Sequence, residues 1–273
     1  VYKRQAVVVP LCRQTRETDR TRPVRTAMLN IIASAVFVGF LLASPVHAQQ
    51  FNSDNQWVAP HGVMTLVPTV GEDYSQMYFT AALVPEWEFN AQFTHFYDDP
   101  RDNSESYTVT NLYAKRRLRQ NEAETQGYAV MFGTGIFPGH LDAGRVSRAF
   151  ESWWFNGIAT YGFAGDRLML DILPGVIVNE DQDDDGDNAW GFTWSSRLAL
   201  YDVIPRSALV GEVFGTEGDA SSPASYRFGV RWESPKLVVS ATYSDAFDGS
   251  TGAGFELGLM YFTEPRFCFR GCR

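Results

Sequence analysis

The chain has 273 residues, 45% of them hydrophobic and 14% aromatic, with 32 acidic against 23 basic residues and a net charge of −9 at pH 7. An acidic balance without a basic face excludes nucleic acid as a partner, because phosphate binding needs clustered Lys and Arg. The cysteines, Cys12, Cys268 and Cys272, lie near the two ends, so the body carries neither a disulfide framework nor a cysteine-rich zinc site.

Met28 opens the first recognisable element. An apolar run from Ile31 to Ala43 leads to Ser44-Pro45 and Val46-His47-Ala48. A short apolar stretch ending in a small-x-small site reads as a secretory signal peptide over 28–48, cleaved after Ala48. The run is shorter than the roughly 20 residues a helical membrane span needs. Residues 1–27 read as non-native upstream sequence. The mature chain then runs from Gln49 to Arg273, with 16 basic and 30 acidic residues. Residues 49–60 are expected as a periplasmic N-terminal segment, 61–264 as a single β-barrel domain and 265–273 as a separate tail.

Strand-like segments follow near 62–70, 75–83, 86–96, 106–118, 126–137, 149–163, 167–178, 189–201, 206–215, 224–233, 236–245 and 253–263. The clearest is Trp87 to His95, where Trp87, Phe89, Ala91 and Phe93 alternate with Glu88, Asn90, Gln92 and Thr94. Period-two alternation places one face in an apolar medium and the other in a polar one. Trp190, Phe192, Trp194, Leu198 and Leu200 repeat the pattern against Gly191, Thr193, Ser195 and Arg197, and so do residues 225–232 and 254–261.

The connections alternate too. Short ones follow the second, sixth, eighth and tenth segments; longer polar ones follow the third (98–105), fifth (138–148), seventh (179–188), ninth (216–223) and eleventh (246–252). That parity predicts an all-β, antiparallel, up-and-down transmembrane barrel of about twelve strands in a bacterial outer membrane, with both termini periplasmic. Trp87, Phe163, Tyr201 and Trp232 lie near short turns, Trp153 and Trp190 near long loops, and Tyr261 near the end of the last strand. These rings are the expected aromatic girdles. A soluble sandwich would instead scatter its rings through a core.

With the apolar residues facing lipid, the alternate positions define a lumen: Glu88, Asn90, Gln92, Thr94, Arg167, Asp171, Arg197, Arg227, Arg231, Glu233, Ser240, Thr242 and Glu256. Such residues either line a water-filled path or pair across a narrow interior and plug it.

Four further motifs bear on chemistry. Asp181, Asp183, Asp185 and Gly186, with Asp187 beside them, match the first half of a calcium-binding loop, but Phe192 stands where the bidentate Glu belongs. The stretch reads as either a solvated acidic loop tip or a calcium site, and divalent ions could bridge it to lipopolysaccharide. Lys115-Arg116-Arg117-Leu118-Arg119 reads as a solvated turn flanking the membrane band. His95 and His140 are the only bases placed for catalysis at a rim, with Ser104, Ser106 and Ser147 in nearby loops. The serine-bearing arrangement of outer-membrane phospholipases is absent around Gly139-His140. Gly133-Thr134-Gly135 has no helix after it to cradle a phosphate, so its glycines fit a tightly curved strand better.

Val130-Met-Phe-Gly-Thr-Gly-Ile-Phe-Pro138, the Gly211-Glu-Val-Phe-Gly215 core of residues 206–215, and Phe228-Gly-Val-Arg-Trp232 with Gly258-Leu-Met-Tyr-Phe262 resemble the outer-membrane barrels named after the meta-pathway of phenol degradation. The resemblance implies uptake of hydrophobic or aromatic compounds and supplies no catalytic residue. The chain is therefore expected to be an outer-membrane channel or transporter for small solutes, without a cofactor unless calcium binds. Its partners are membrane lipid, lipopolysaccharide and solute. The alternatives are a structural or adhesive barrel with cation-binding loops and a lipid hydrolase.

Overall fold

The computed structural model describes residues 54–97, 106–135, 149–180, 187–249 and 253–267. Among these, every regular element is a strand: β1 (Met64–Gly71), β2 (Tyr74–Val84), β3 (Trp87–Phe96), β4 (Tyr107–Gln120), β5 (Gly127–Thr134), β6 (Ser152–Phe163), β7 (Leu168–Asn179), β8 (Ala189–Tyr201), β9 (Ser207–Gly218), β10 (Ser222–Glu233), β11 (Leu237–Ala246) and β12 (Gly254–Phe262). Each pairs with the next in chain order, and β12 returns to β1, closing the ring. Closure leaves no edge strand with unpaired amides, a requirement for any sheet that crosses lipid.

Because the strand number is even, β1 starts and β12 ends at one end of the barrel. The connections at 85–86, 121–126, 164–167, 202–206 and 234–236 lie at that same end, here called the turn end. Ala164, Gly165 and Asp166 all adopt left-handed backbone (φ 53°, 70° and 64°), which reverses β6 into β7 within a few residues. In the longer 121–126 turn, the Asn121 side-chain oxygen accepts the N–H groups of Thr125 and Gln126. At the opposite, loop end, the expected long connection over 216–223 is instead a three-residue turn, because β9 runs on to Gly218 and β10 begins at Ser222. Pro223 sits where the β9–β10 register shifts between Ser222 and Ser225, a bulge that accommodates a residue with no N–H.

The wall is two-faced. Phe89 is 43% exposed, whereas its neighbours Glu88 and Asn90 are 6% and 5% exposed. The same inversion, apolar outside and polar inside, runs through β8 and β10, while β7 and β12 share the exposed apolar outer face but turn Leu173, Ile177, Met260 and Phe262 inward beside Asp171 and Glu256. A soluble barrel or sandwich has the opposite sense. Trp87, Phe163, Trp232 and Tyr261 ring the outer wall at the turn end, and Trp153 and Trp190 stand at the loop end. Such paired belts suit the two lipid headgroup layers. Tyr201 departs from the expected girdle. It shares the inward parity of Thr193, Ser195 and Arg197, and its hydroxyl accepts a hydrogen bond from Arg231 Nη2 at 2.7 Å.

Besides the register shifts in β2–β3, β4–β5 and β9–β10, two gaps in the ladder coincide with prolines. The β1–β12 register passes from Leu66↔Tyr261 to Thr69↔Gly258, and the β6–β7 register from Asn156↔Gly175 to Ala159↔Ile172. Pro68 lies in the first gap and Pro174 in the second, and neither has an N–H to give the ladder.

Residues 54–59 form no strand and do not stay outside the barrel. Asp54, Asn55, Gln56, Val58 and Ala59 are buried, and Trp57 packs edge-on against Phe262 of β12, ring centroids 6.1 Å apart. The segment enters the turn end and makes its contacts on the inner wall.

Candidate functional site: the lumen and the segment across it

Inward-facing side chains meet from both sides of the ring. At the turn end, Lys115 Nζ on β4 lies 2.8 Å from Asp54 Oδ1 and 3.0 Å from Glu88 Oε2 on β3. The Ala59 N–H donates to Glu88 Oε1 at 2.6 Å, so Glu88 holds both the cation and the segment's backbone. Across the lumen, the Gln56 N–H donates to Thr160 Oγ1 on β6 at 3.0 Å, and Thr160 donates to Asp171 Oδ1 at 2.7 Å. The other Asp171 oxygen accepts from Arg197 Nε and Nη2 at 2.9 and 2.7 Å. Gln56 Nε2 reaches the Glu124 carbonyl in the 121–126 turn. One hexapeptide thus touches β12, β3, β4 and β6, and β6 and β12 are six places apart in a ring of twelve. It spans the mouth.

Burial pushes the Asp54 carboxyl above its ordinary range; Lys115 pulls it back and Glu88 pushes it further up. Two carboxylates around one ammonium in a dry site carry a surplus negative charge, and a proton relieves it.

Toward the loop end, Arg227 on β10 lies 3.3 Å from Glu212 on β9 and 2.9 Å from Glu256 on β12. Glu256 also accepts from Thr242 at 2.8 Å and from the Tyr74 hydroxyl. Phe96 and Tyr107 stack at 4.7 Å beside Tyr74, narrowing the lumen with side chains of the wall itself. Near the turn end, Arg231 pairs with Glu233 at 2.6 Å.

Between these clusters the wall changes character. Met131, Trp154, Ile158, Leu173 and Ile177 form an apolar patch on the inner faces of β5, β6 and β7. Gly133 makes room for it: a Cβ there would meet Tyr113 and Trp154 at 2.4 and 2.5 Å. The Gly133-Thr134-Gly135 stretch is thus a packing feature of a curved strand.

Of the residues expected in the lumen, Glu88, Asn90, Gln92, Thr94, Asp171, Arg197, Arg227, Arg231 and Glu256 face inward and are buried. Arg167 does not. It falls one residue before β7 begins, in the turn, and is exposed at the rim. Lys115 reverses the solvated-turn expectation for 115–119. It is 2% exposed inside the barrel, while Arg116 lies outside over the Trp87 ring at 5.3 Å. The period-two rule carries through a basic run as through any other, and Asn111, Tyr113 and Lys115 share one face.

Asp181, Asp183 and Asp185 of the acidic loop lie outside the described residues, and Asp187 is exposed just before β8. Among the described residues no group of three His, Cys, Asp or Glu side chains is gathered for a metal ion. His140, Ser104 and Ser147 also lie outside the described residues; His95 is on the outer wall with Nδ1 3.1 Å from Thr108 Oγ1.

No protein-family model matches the chain, and no curated protein matches it. Solved structures do. An outer membrane channel from Pseudomonas putida F1 is similar at 15% identity over 75% of this chain and 96% of that one, with a TM-score of 0.45. KdgM porin in complex with disordered oligogalacturonate is similar at 8% identity over 73% and 98%, TM-score 0.48. LpxR from Salmonella typhimurium is similar at 10% identity over 74% and 100%, TM-score 0.39. The twelve-stranded transmembrane architecture rests on this chain's own strand order and inverted wall.

Proposed function

We propose that this barrel is an outer-membrane channel for small solutes, closed at rest by residues 54–59, with its turn end and both chain ends in the periplasm. The observation that carries the reading is the segment's mode of attachment. It crosses the lumen from β12 to β6 through side-chain contacts and isolated hydrogen bonds, without joining the strand ladder. A stopper held this way can leave while all twelve strand pairings stay intact. The mixed inner wall supports passage of solutes with an apolar or aromatic part, since the patch around Trp154 and Leu173 offers them a surface beside polar groups.

Planar-bilayer recordings of the mature chain and of a variant lacking residues 49–59 test this. The mature chain should give rare, small openings, and the shortened one steady conducting steps. A shortened barrel that is folded yet silent would overturn the reading in favour of a structural or adhesive barrel.

A further inference from the structure

The charged groups inside the barrel are not balanced one for one. Asp171 pairs with Arg197, and Arg231 with Glu233. At two other places a single cation sits between two carboxylates: Lys115 between Asp54 and Glu88, and Arg227 between Glu212 and Glu256. Counted together, the buried carboxylates Asp54, Glu88, Asp171, Glu212, Glu233 and Glu256 outnumber the buried cations Lys115, Arg197, Arg227 and Arg231 by two, and Glu212 stands across from Arg197 on one side and Arg227 on the other. The six groups of the two triads are buried on the inner side of the wall. Charge of one sign enclosed by a low-dielectric wall focuses its field along the lumen and enriches the opposite ion.

Polar groups between the triads are left for a solute or water. Asn111, four residues from Lys115 toward the loop end, is 0% exposed and has no hydrogen-bond partner for either its amide oxygen or its amide nitrogen. Asn156 Oδ1 is likewise unpartnered, although its Nδ2 donates to Thr193 at 2.9 Å. Buried amides are ordinarily hydrogen-bonded to protein or to ordered water, so these are free to bond water or a solute in the lumen.

We infer that the lumen selects positively charged small solutes, and that Glu212 and Glu256 flanking Arg227 are the residues that set this preference at the loop end. The inference rests on the channel reading above. It does not depend on the segment, because Glu212, Arg227 and Glu256 are carried by β9, β10 and β12 themselves.

The test is the reversal potential of the barrel lacking residues 49–59 in a KCl gradient. K+ should pass roughly tenfold more readily than Cl−, the lower end of what a focused field achieves. Glu212→Gln with Glu256→Gln should bring the ratio toward unity or below. Should that pair fail to fold around an unpaired Arg227, Arg227→Gln provides the converse and should raise the ratio. Tyr201→Phe, which changes no charge, should leave it alone. A conducting barrel that prefers Cl−, or a ratio that falls in Arg227→Gln, overturns the selectivity while leaving the channel standing. A barrel silent with and without the segment overturns the channel reading, and the selectivity with it.

Discussion

The two ends of the lumen are narrowed by different means. At the loop end, Tyr74, Phe96 and Tyr107 belong to β2, β3 and β4, and moving them means moving wall strands. At the turn end, the obstruction is a separate piece of chain held by Lys115, Glu88, Thr160 and a ring contact to Phe262. Side chains of a paired strand can change rotamer, but their backbone is fixed by a full ladder. An unpaired segment has only its own contacts to lose. The turn end therefore holds the obstruction that can be displaced without breaking strand pairing.

The sharpest way to break this contrast is removal of residues 49–59, which should change conductance most while leaving the heat-dependent gel mobility of the folded barrel intact. If the mobility changed instead, the segment would be part of the fold rather than a stopper. Next in size is Asp171→Ala. It strands Arg197 in a site where the guanidinium is 2% exposed, a loss of about 3–5 kcal/mol typical of breaking a buried pair. Denaturant unfolding in detergent should show it, and a wild-type midpoint would mean that water already reaches Arg197.

Lys115→Met leaves Asp54 and Glu88 facing each other without their shared cation. The segment should be released, raising the open fraction about tenfold or more, since like charges held this close resist burial. Unchanged gating would assign the hold to Trp57 and Gln56 instead.

Protons should act more gently. The docked Asp54 carboxyl titrates above its ordinary range because it is buried, with Glu88 raising it, Lys115 opposing and Tyr78 and Tyr113 close by. An acid whose docked-state pKa is raised binds its proton more tightly when docked. That contribution to docking is complete below the ordinary carboxyl value of about 4 and is lost as pH rises through the raised one. Acidification from neutral pH should therefore close the channel, and Asp54→Asn should flatten the response. Channels that open on acidification would reverse this assignment. The smallest effect belongs to Tyr201→Phe, which deletes one hydrogen bond to Arg231 and should cost about 1 kcal/mol.

Strand number, order and the identity of each face were readable in the sequence, because lipid on one side and polar packing on the other impose period two on nearly every strand. The exceptions are residues whose type and position point different ways. Tyr201 is aromatic and near a turn, which suits a girdle, but its parity with Arg197 turns it inward. Lys115 sits in a run of like charges that suits a solvated turn, but its parity with Asn111 turns it inward as well. Arg167 had the right parity, but the strand began one residue too late to carry it inward. Residues 54–59 offered no period to read. Their partners are scattered from Glu88 to Phe262, each contact leaving no pattern in the chain.

The proline gaps bear on how the wall is joined. They lie at β12/β1 and β6/β7, on opposite sides, and divide the wall into two arcs of six strands. Each proline withholds an N–H from its joint, and further register shifts fall within the arcs at β2–β3, β4–β5 and β9–β10. Residues 54–59 bear on β3, β4 and β6 in one arc and on β12 in the other. Besides lying across the mouth, they tie the two half-shells together through these contacts.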